Sequence, residues 1–175
     1  MKRIKADDYL TLAELIAVRP RPAHLRRATS TAYYAVFHEL VGQGARRAVT
    51  SGTDDHRHTV SRWYAHGNFR QTARWVTAIA ADKSAPEAVT RLLSVNGRID
   101  PDLVLVADSF GELQALRHVA DYDPGYVASR TATLSHVRRA RTAVEAIRRL
   151  DKDAVHEFDM FLLLSLGGER MVRNS

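Results

Sequence analysis

Residues 22–41 read Pro-Ala-His-Leu-Arg-Arg-Ala-Thr-Ser-Thr-Ala-Tyr-Tyr-Ala-Val-Phe-His-Glu-Leu-Val, and this stretch decides the fold. Leu25, Ala28, Ala32, Ala35, Val36 and Leu40 recur at three- and four-residue steps, the period of one helix face. Pro22 suits a first helical turn, where a missing N–H costs nothing. Gly42 and Gly44 are expected to end the helix. Just upstream, Arg19-Pro20-Arg21-Pro22 forbids continuation of a preceding helix, so residues 5–18, with Tyr9, Leu12, Ala13, Ile16 and Ala17 in helical register, form a separate one.

The same period runs through the rest of the chain. A Gly/Ser/Thr/Asp loop spans 43–54, and a third helix is expected over 56–81, carrying Val60, Trp63, Tyr64, Trp75, Val76 and Ile79. Pro86 opens a short helix through Val89, Leu92 and Leu93 to a cap at Asn96-Gly97, and Asp100-Pro101 opens another with Leu103, Val106, Phe110, Leu113 and Leu116 inward. Asp123-Pro124 reads as an N-cap with proline at the first helical position, starting a long helix to Leu150. A last helix, 153–166, is apolar at Val155, Phe158, Phe161, Leu162 and Leu164. No period-2 run of useful length and no internal repeat is present. The expected architecture is all-α, an antiparallel helical bundle in one domain, 1–168, with a polar tail at 169–175.

Composition narrows the function classes. The chain has 175 residues, 45% hydrophobic, and no cysteine, which excludes a disulfide scaffold, thiolate metal sites and a cysteine nucleophile. Its apolar runs are too short to cross a bilayer and its start lacks a leader pattern, so a cytoplasmic protein without membrane contact is expected. The formal charge is +6, with 22 arginines against 4 lysines. Arginine's planar fork suits phosphate, although an Arg/Ala/Val-rich chain is also what a GC-rich genome writes. No phosphate loop, nucleophile elbow or zinc-protease motif is legible, and no cofactor is expected. His56 and His58 follow Asp54-Asp55, but without a third ligand the cluster reads as a polar helix start, not a metal site.

Two constellations carry chemistry. Ser30, Tyr34 and His38 stand at i, i+4 and i+8, a polar stripe on one helix face, with Arg26 and Arg27 one turn earlier. The same spacing equally suits two core tyrosines and a surface histidine. In Leu116-Arg117-His118-Val119-Ala120-Asp121-Tyr122-Asp123-Pro124, Arg117 and Asp121 are four apart. They read as a structural ion pair, or as an arginine held by a carboxylate so that its other donors can meet a phosphate. Along the long helix, Arg138, Arg139, Arg141, Arg148 and Arg149 form either a solvated face or a stripe that tracks phosphates.

Taken together, Ser30, Tyr33-Tyr34-Ala35, Phe37-His38 and then Arg117, Asp121 and Tyr122 resemble the HEPN superfamily of small helical-bundle proteins. The likeness is to the subfamily with a Tyr-Tyr-Ala-x-Phe-His helix and a later Arg-x-x-x-Asp-Tyr. It covers residues 5–80 and 108–150; the short helix within 82–105 and the C-terminal helix look like additions. The resemblance implies a bundle that commonly dimerises, and in many members a metal-independent endoribonuclease, often a toxin or one encoded with a nucleotidyltransferase partner. Arginine would stabilise the pentacovalent phosphorane while histidine moves the 2′-hydroxyl proton. In that motif histidine follows arginine after four to six residues. Here the window after Arg117 holds Tyr122, Asp123 and Pro124, and a phenol is a poor base near neutrality. Other Arg/His pairs at that spacing occur as often as chance gives.

Three functions are therefore expected in competition. The first is an RNA-directed protein, an endoribonuclease or toxin–antitoxin component, with Arg117, Asp121, Tyr122 and His38 as catalytic candidates. Arg27, Ser30, Tyr34, Arg138, Arg139 and Arg141 would then contact RNA or nucleotide. The second is a noncatalytic module that pairs with a nucleotidyltransferase or another protein. The third is a nucleotide-binding protein, with Arg117 and Arg27 on phosphates and Tyr34 stacking a base. A homodimer is expected, covering the apolar last helix.

Overall fold

The structure, a computed structural model, describes residues 4–95 and 97–172. It is all-α. The helices are α1 (Ala6–Ala17), α2 (Pro22–Ala48), α3 (Asp54–Ser61), α4 (His66–Ala80), α5 (Glu87–Leu93), α6 (Pro101–Tyr122), α7 (Arg130–Lys152), α8 (His156–Gly167) and α9 (Glu169–Val172). Among the described residues there is no β-strand beyond a single bridge between Val95 and Arg98. No described helix is long and apolar enough to cross a membrane. The chain divides into two compact units. One holds the chain up to Glu39 together with Ser109–Glu145; the other holds Leu40–Asp108 and the chain from Ala146 onward. The expected single domain, 1–168, spans both.

In the first unit, α1 buries Ala6, Leu10, Ala13 and Ala17, a 4-3-4 spacing that keeps them on one face. Asp8 closes its N-terminus by accepting a hydrogen bond from the Lys5 backbone N–H at 2.7 Å. From α2 come Leu25, Ala28, Ala32, Tyr33 and Val36, and from α6 Phe110 and Leu113, all buried. The Tyr33 and Phe110 rings meet at 5.5 Å. The many buried alanines bring helix backbones close, because nothing larger than a methyl stands between them.

Asp123-Pro124 does not open α7. The Asp123 carboxylate accepts the Gly125 N–H at 2.8 Å, which folds the segment into a turn. The helix starts instead behind Ser129, whose hydroxyl accepts the Ala132 N–H at 3.1 Å. Arg26 holds the turn. Its guanidinium donates to the carbonyls of Ala120 (2.8 Å), Asp123 (2.7 Å) and Tyr126 (3.2 Å), which supplies donors to the orphan carbonyls where α6 ends. Arg26→Ala should cost about 2 kcal/mol in urea unfolding, the scale of bonds to a charged donor. A loss below about 0.5 kcal/mol would mean the turn stands without it.

His136 is buried in this unit, its Nδ1 3.3 Å from the Thr29 hydroxyl. Burial lowers its pKa from the ordinary 6.5; Arg139 acts in the same direction and Glu112 opposes it. The unfolded chain therefore binds the proton more readily, so this contribution is intact above pH 6.5 and is lost as pH falls toward the lower folded value. The urea midpoint should drop between pH 7 and pH 5, and His136→Gln should flatten that slope. Asp102, held low chiefly by its bond from Arg149, contributes its own loss only below its ordinary 3.8.

In the second unit, α2 continues through Gly42 and Gly44 to Ala48 and does not stop where the glycines suggest. The expected helix over 56–81 is two, α3 and α4, broken at residues 62–65. Thr53 caps α3, accepting the His56 N–H at 3.4 Å. The core gathers Phe69, Val76, Leu93, Leu103, Ile147, Leu150, Phe158 and Phe161. Phe158, Phe161, Leu162 and Leu164 of α8 are at most 3% exposed. These four side chains, expected to lie at a dimer surface, thus fill the core of their own unit. Arg47 binds Asp159 and Asp151 (3.0 Å to the latter) and lies 4.9 Å over the Phe158 ring. Of the expected polar tail, Glu169–Val172 is helical, and 173–175 lies outside the described residues.

Candidate phosphate-binding site

The two constellations meet within the first unit. α2 presents Ser30, Tyr34 and His38 along one face, and the last turns of α6 present Arg117, Asp121 and Tyr122. Buried Ser30 donates its hydroxyl to Asp121 Oδ1 at 2.5 Å. Asp121 Oδ2 lies 2.8 Å from Arg117 Nε, close but bent, an ion pair without an aligned hydrogen bond. Arg117 Nη2 donates to the Tyr34 hydroxyl at 3.0 Å. The chain of contacts Ser30–Asp121–Arg117–Tyr34 fixes the guanidinium between two rings, 5.7 Å from the Tyr34 centroid and 5.2 Å from that of Tyr122.

This geometry assigns different parts to the candidates. Both oxygens of Asp121 are engaged, Oδ1 by Ser30 and Oδ2 by Arg117. Arg117 keeps a side-chain exposure of 24%. Burial opposes its charge, but Tyr34, Asp121 and Tyr122 more than compensate and raise its pKa. A guanidinium has five N–H donors, and the named contacts do not exhaust them. The result is a permanent, oriented positive charge at the surface of the first unit. Tyr122 is 63% exposed. Tyr34 is half-buried and has Tyr9, Tyr33, His38 and Arg117 around it.

His38 is exposed and stacks on Tyr9, centroids 4.9 Å apart and planes 6° from parallel. Its ring lies 6.2 Å from Tyr34. His118, next to Arg117 in sequence, turns away and packs beside Tyr122 at 5.1 Å. Tyr9 is the member that sequence reasoning missed. It was counted on the apolar face of α1, and only the tertiary fold brings it to His38. Its half-exposed position between two apolar faces of α1 is the one local signal.

The proposed arginine contacts fare unevenly. Arg27 is exposed on α2, and the neighbour it was grouped with, Arg26, is committed to the α6–α7 turn. Arg138 is exposed. Arg139 pairs with Glu112 at 2.9 Å, and Arg141 grips Glu14 through Nε and Nη2 at 3.0 and 2.5 Å. Two of the four arginines expected on RNA phosphates are therefore balanced by carboxylates, which shortens the phosphate-tracking stripe. His56 closes the α3 N-terminus and His58 Nε2 sits 2.9 Å from Arg62. Among the described residues no three His, Cys, Asp or Glu side chains gather as a metal site would require.

Comparison with family models, with curated proteins and with solved structures gives no match.

Proposed function

We propose that this chain is an RNA-directed protein of HEPN type, and that Arg117 receives a phosphodiester. The observation that carries the reading is the fixed Arg117 guanidinium, pinned by Asp121 and Tyr34 yet a quarter exposed. A preorganised charge of this kind stabilises a phosphoryl dianion more in the transition state than in the ground state. In the cleavage reaction the ribose 2′-oxygen bonds to phosphorus as the bond to the 5′-oxygen breaks. Arg117 balances the equatorial charge. His38, the imidazole on the same helix face as Tyr34, takes the 2′-hydroxyl proton, and the leaving 5′-oxygen takes a proton from water. Tyr122 offers the ring on which a neighbouring base stacks, the part first given to Tyr34.

A second reading has its own support. The Ser30–Asp121–Arg117–Tyr34 chain closes on itself, and the window after Arg117 lacks histidine. These features suit a noncatalytic module that pairs with a nucleotidyltransferase or another protein. Incubation with single-stranded RNA in EDTA separates the two. Cleavage that leaves 2′,3′-cyclic phosphate ends supports the enzyme. Binding without cleavage keeps RNA as the ligand and removes catalysis. Absence of RNA binding ends the RNA reading and leaves the module.

A further inference from the structure

The second unit carries an aromatic and basic surface of its own. Trp63 stands in the break between α3 and α4 and is 62% exposed, whereas the chain's other tryptophan, Trp75, is buried. From His56 to Ala81 the sequence holds four arginines and no Asp or Glu. Arg57 pairs with Asp54, but among the described residues no carboxylate lies within ion-pair distance of Arg70 or Arg74. α4 buries Phe69, Thr72, Ala73, Trp75 and Val76. At 100° per residue the opposite side presents His66, Gly67, Arg70, Gln71 and Arg74 within an arc of about 140°. Gln71 also lines a cleft of about 620 Å³, together with Asn68, Leu166 and Arg170. Asn68 is committed there, donating to the Leu166 carbonyl at 2.9 Å. Gln71 and Arg170 are the cleft's other hydrogen-bonding side chains.

We propose that this face of the second unit is a binding site for single-stranded nucleic acid. A base stacks on the open Trp63 ring, the sequence-tolerant contact by which exposed aromatic side chains hold single strands. The strand then runs along α4. Arg70 and Arg74 are one turn apart, about 6 Å along the axis, so successive phosphates of an extended strand can each meet a guanidinium fork. The cleft takes the edge of a further base, because the Gln71 amide and the Arg170 guanidinium offer the donors that base edges accept. A duplex does not suit the arrangement, since its bases are paired and closed to Trp63. Nor does a bilayer. Interfacial helices bury several apolar side chains, and the outward positions of α4 are His66, Gly67, Arg70, Gln71 and Arg74. The proposal shares a ligand class with the RNA reading but uses no residue of the Arg117 site, and it stands if Arg117 cleaves nothing.

Titration with oligo(U) and oligo(dT) of about ten nucleotides, the span of one such site, tests it. Either single strand should quench the tryptophan emission and bind more tightly than a duplex of equal length; the tighter of the two names the sugar. Trp63→Phe should keep the affinity within about threefold and lose most of the quench, since a ring remains to stack while the exposed emitter is gone. Trp63→Ala should weaken binding by at least about fivefold, the low end for one stacked base. Arg70→Gln with Arg74→Gln should reduce the slope of log affinity against log salt by about 1.4, two phosphates of a single strand. All three positions are exposed, so helical circular dichroism should be unchanged. Arg117→Ala should leave the saturating quench intact, so failure of the cleavage reading and failure of this site give different results. Equal binding of duplex and single strand, a Trp63→Ala chain that binds like wild type, an unchanged salt slope, or quenching by phosphatidylserine vesicles with none by oligonucleotide would each overturn the proposal.

Discussion

Arg117→Ala should lower the rate of the metal-independent RNA cleavage proposed above by at least about 100-fold, the scale on which a preorganised donor to a developing oxyanion acts, and weaken RNA binding by less. The side chain is surface-accessible and its loss leaves Ser30 bonded to Asp121, so the fold should survive. Arg117→Lys should recover little. A lysine is a single compact charge, and it cannot reach Asp121 and Tyr34 together while aiming further donors outward. Asp121→Asn should fall between the two, because it keeps the shape and the Ser30 contact while removing the charge that holds the fork. Arg139→Ala, which breaks the pair with Glu112, should change RNA binding by less than about threefold and lower its salt dependence slightly. Gel shifts and cleavage assays in EDTA at two salt concentrations read all four variants. Equal losses for Arg117→Ala and Arg139→Ala would show diffuse charge attraction and no site.

The helices and the site were not equally legible in the sequence. Helices whose ends are set by their own residues were readable: Pro20 and Pro22 separate α1 from α2, and Pro101 opens α6. Ends set by distant residues were not. Gly42 and Gly44 stop a helix by local propensity, yet α2 runs on, and Gly44 serves there to leave space for the Tyr64 ring. Asp123-Pro124 has the chemistry of a helix start, but Arg26, 97 residues earlier, stabilises a turn there, and Ser129 takes the cap. The site divides the same way. Ser30 with Tyr34, and Arg117 with Asp121, stand four residues apart, so their shared faces follow from helix geometry. That Ser30 would meet Asp121, 91 residues away, was inferable only from the expectation that polar groups on apolar faces seek each other. Tyr9 against His38 gave no such hint. Nor did the ion pairs of Arg139 and Arg141, whose partners Glu112 and Glu14 lie on other helices.

Gly44→Ala should destabilise the protein by about 3 kcal/mol, although the substitution by itself favours a helix interior by about 1 kcal/mol. A Cβ built on Gly44 would overlap the hydroxyl, Cζ and Cε2 of Tyr64, the last at 2.9 Å. The tyrosine cannot step aside. It is 6% exposed, and its ring stacks on fully buried Phe69 at 5.3 Å, 16° from parallel. An aromatic side chain has two torsions, and moving it here would open a cavity beside Phe69 or drive the ring into its neighbours. Overpacking therefore outweighs helix propensity at this position. The sign should reverse once the ring is shortened. In a Tyr64→Leu background the atoms that meet the new methyl are gone, and Gly44→Ala should then stabilise by about 1 kcal/mol relative to Tyr64→Leu alone. Urea unfolding of the four chains gives the cycle, with a coupling of about 4 kcal/mol expected between the two positions. A Gly44→Ala protein as stable as wild type, or equal effects in both backgrounds, would mean that the Tyr64 ring is not what requires glycine at position 44.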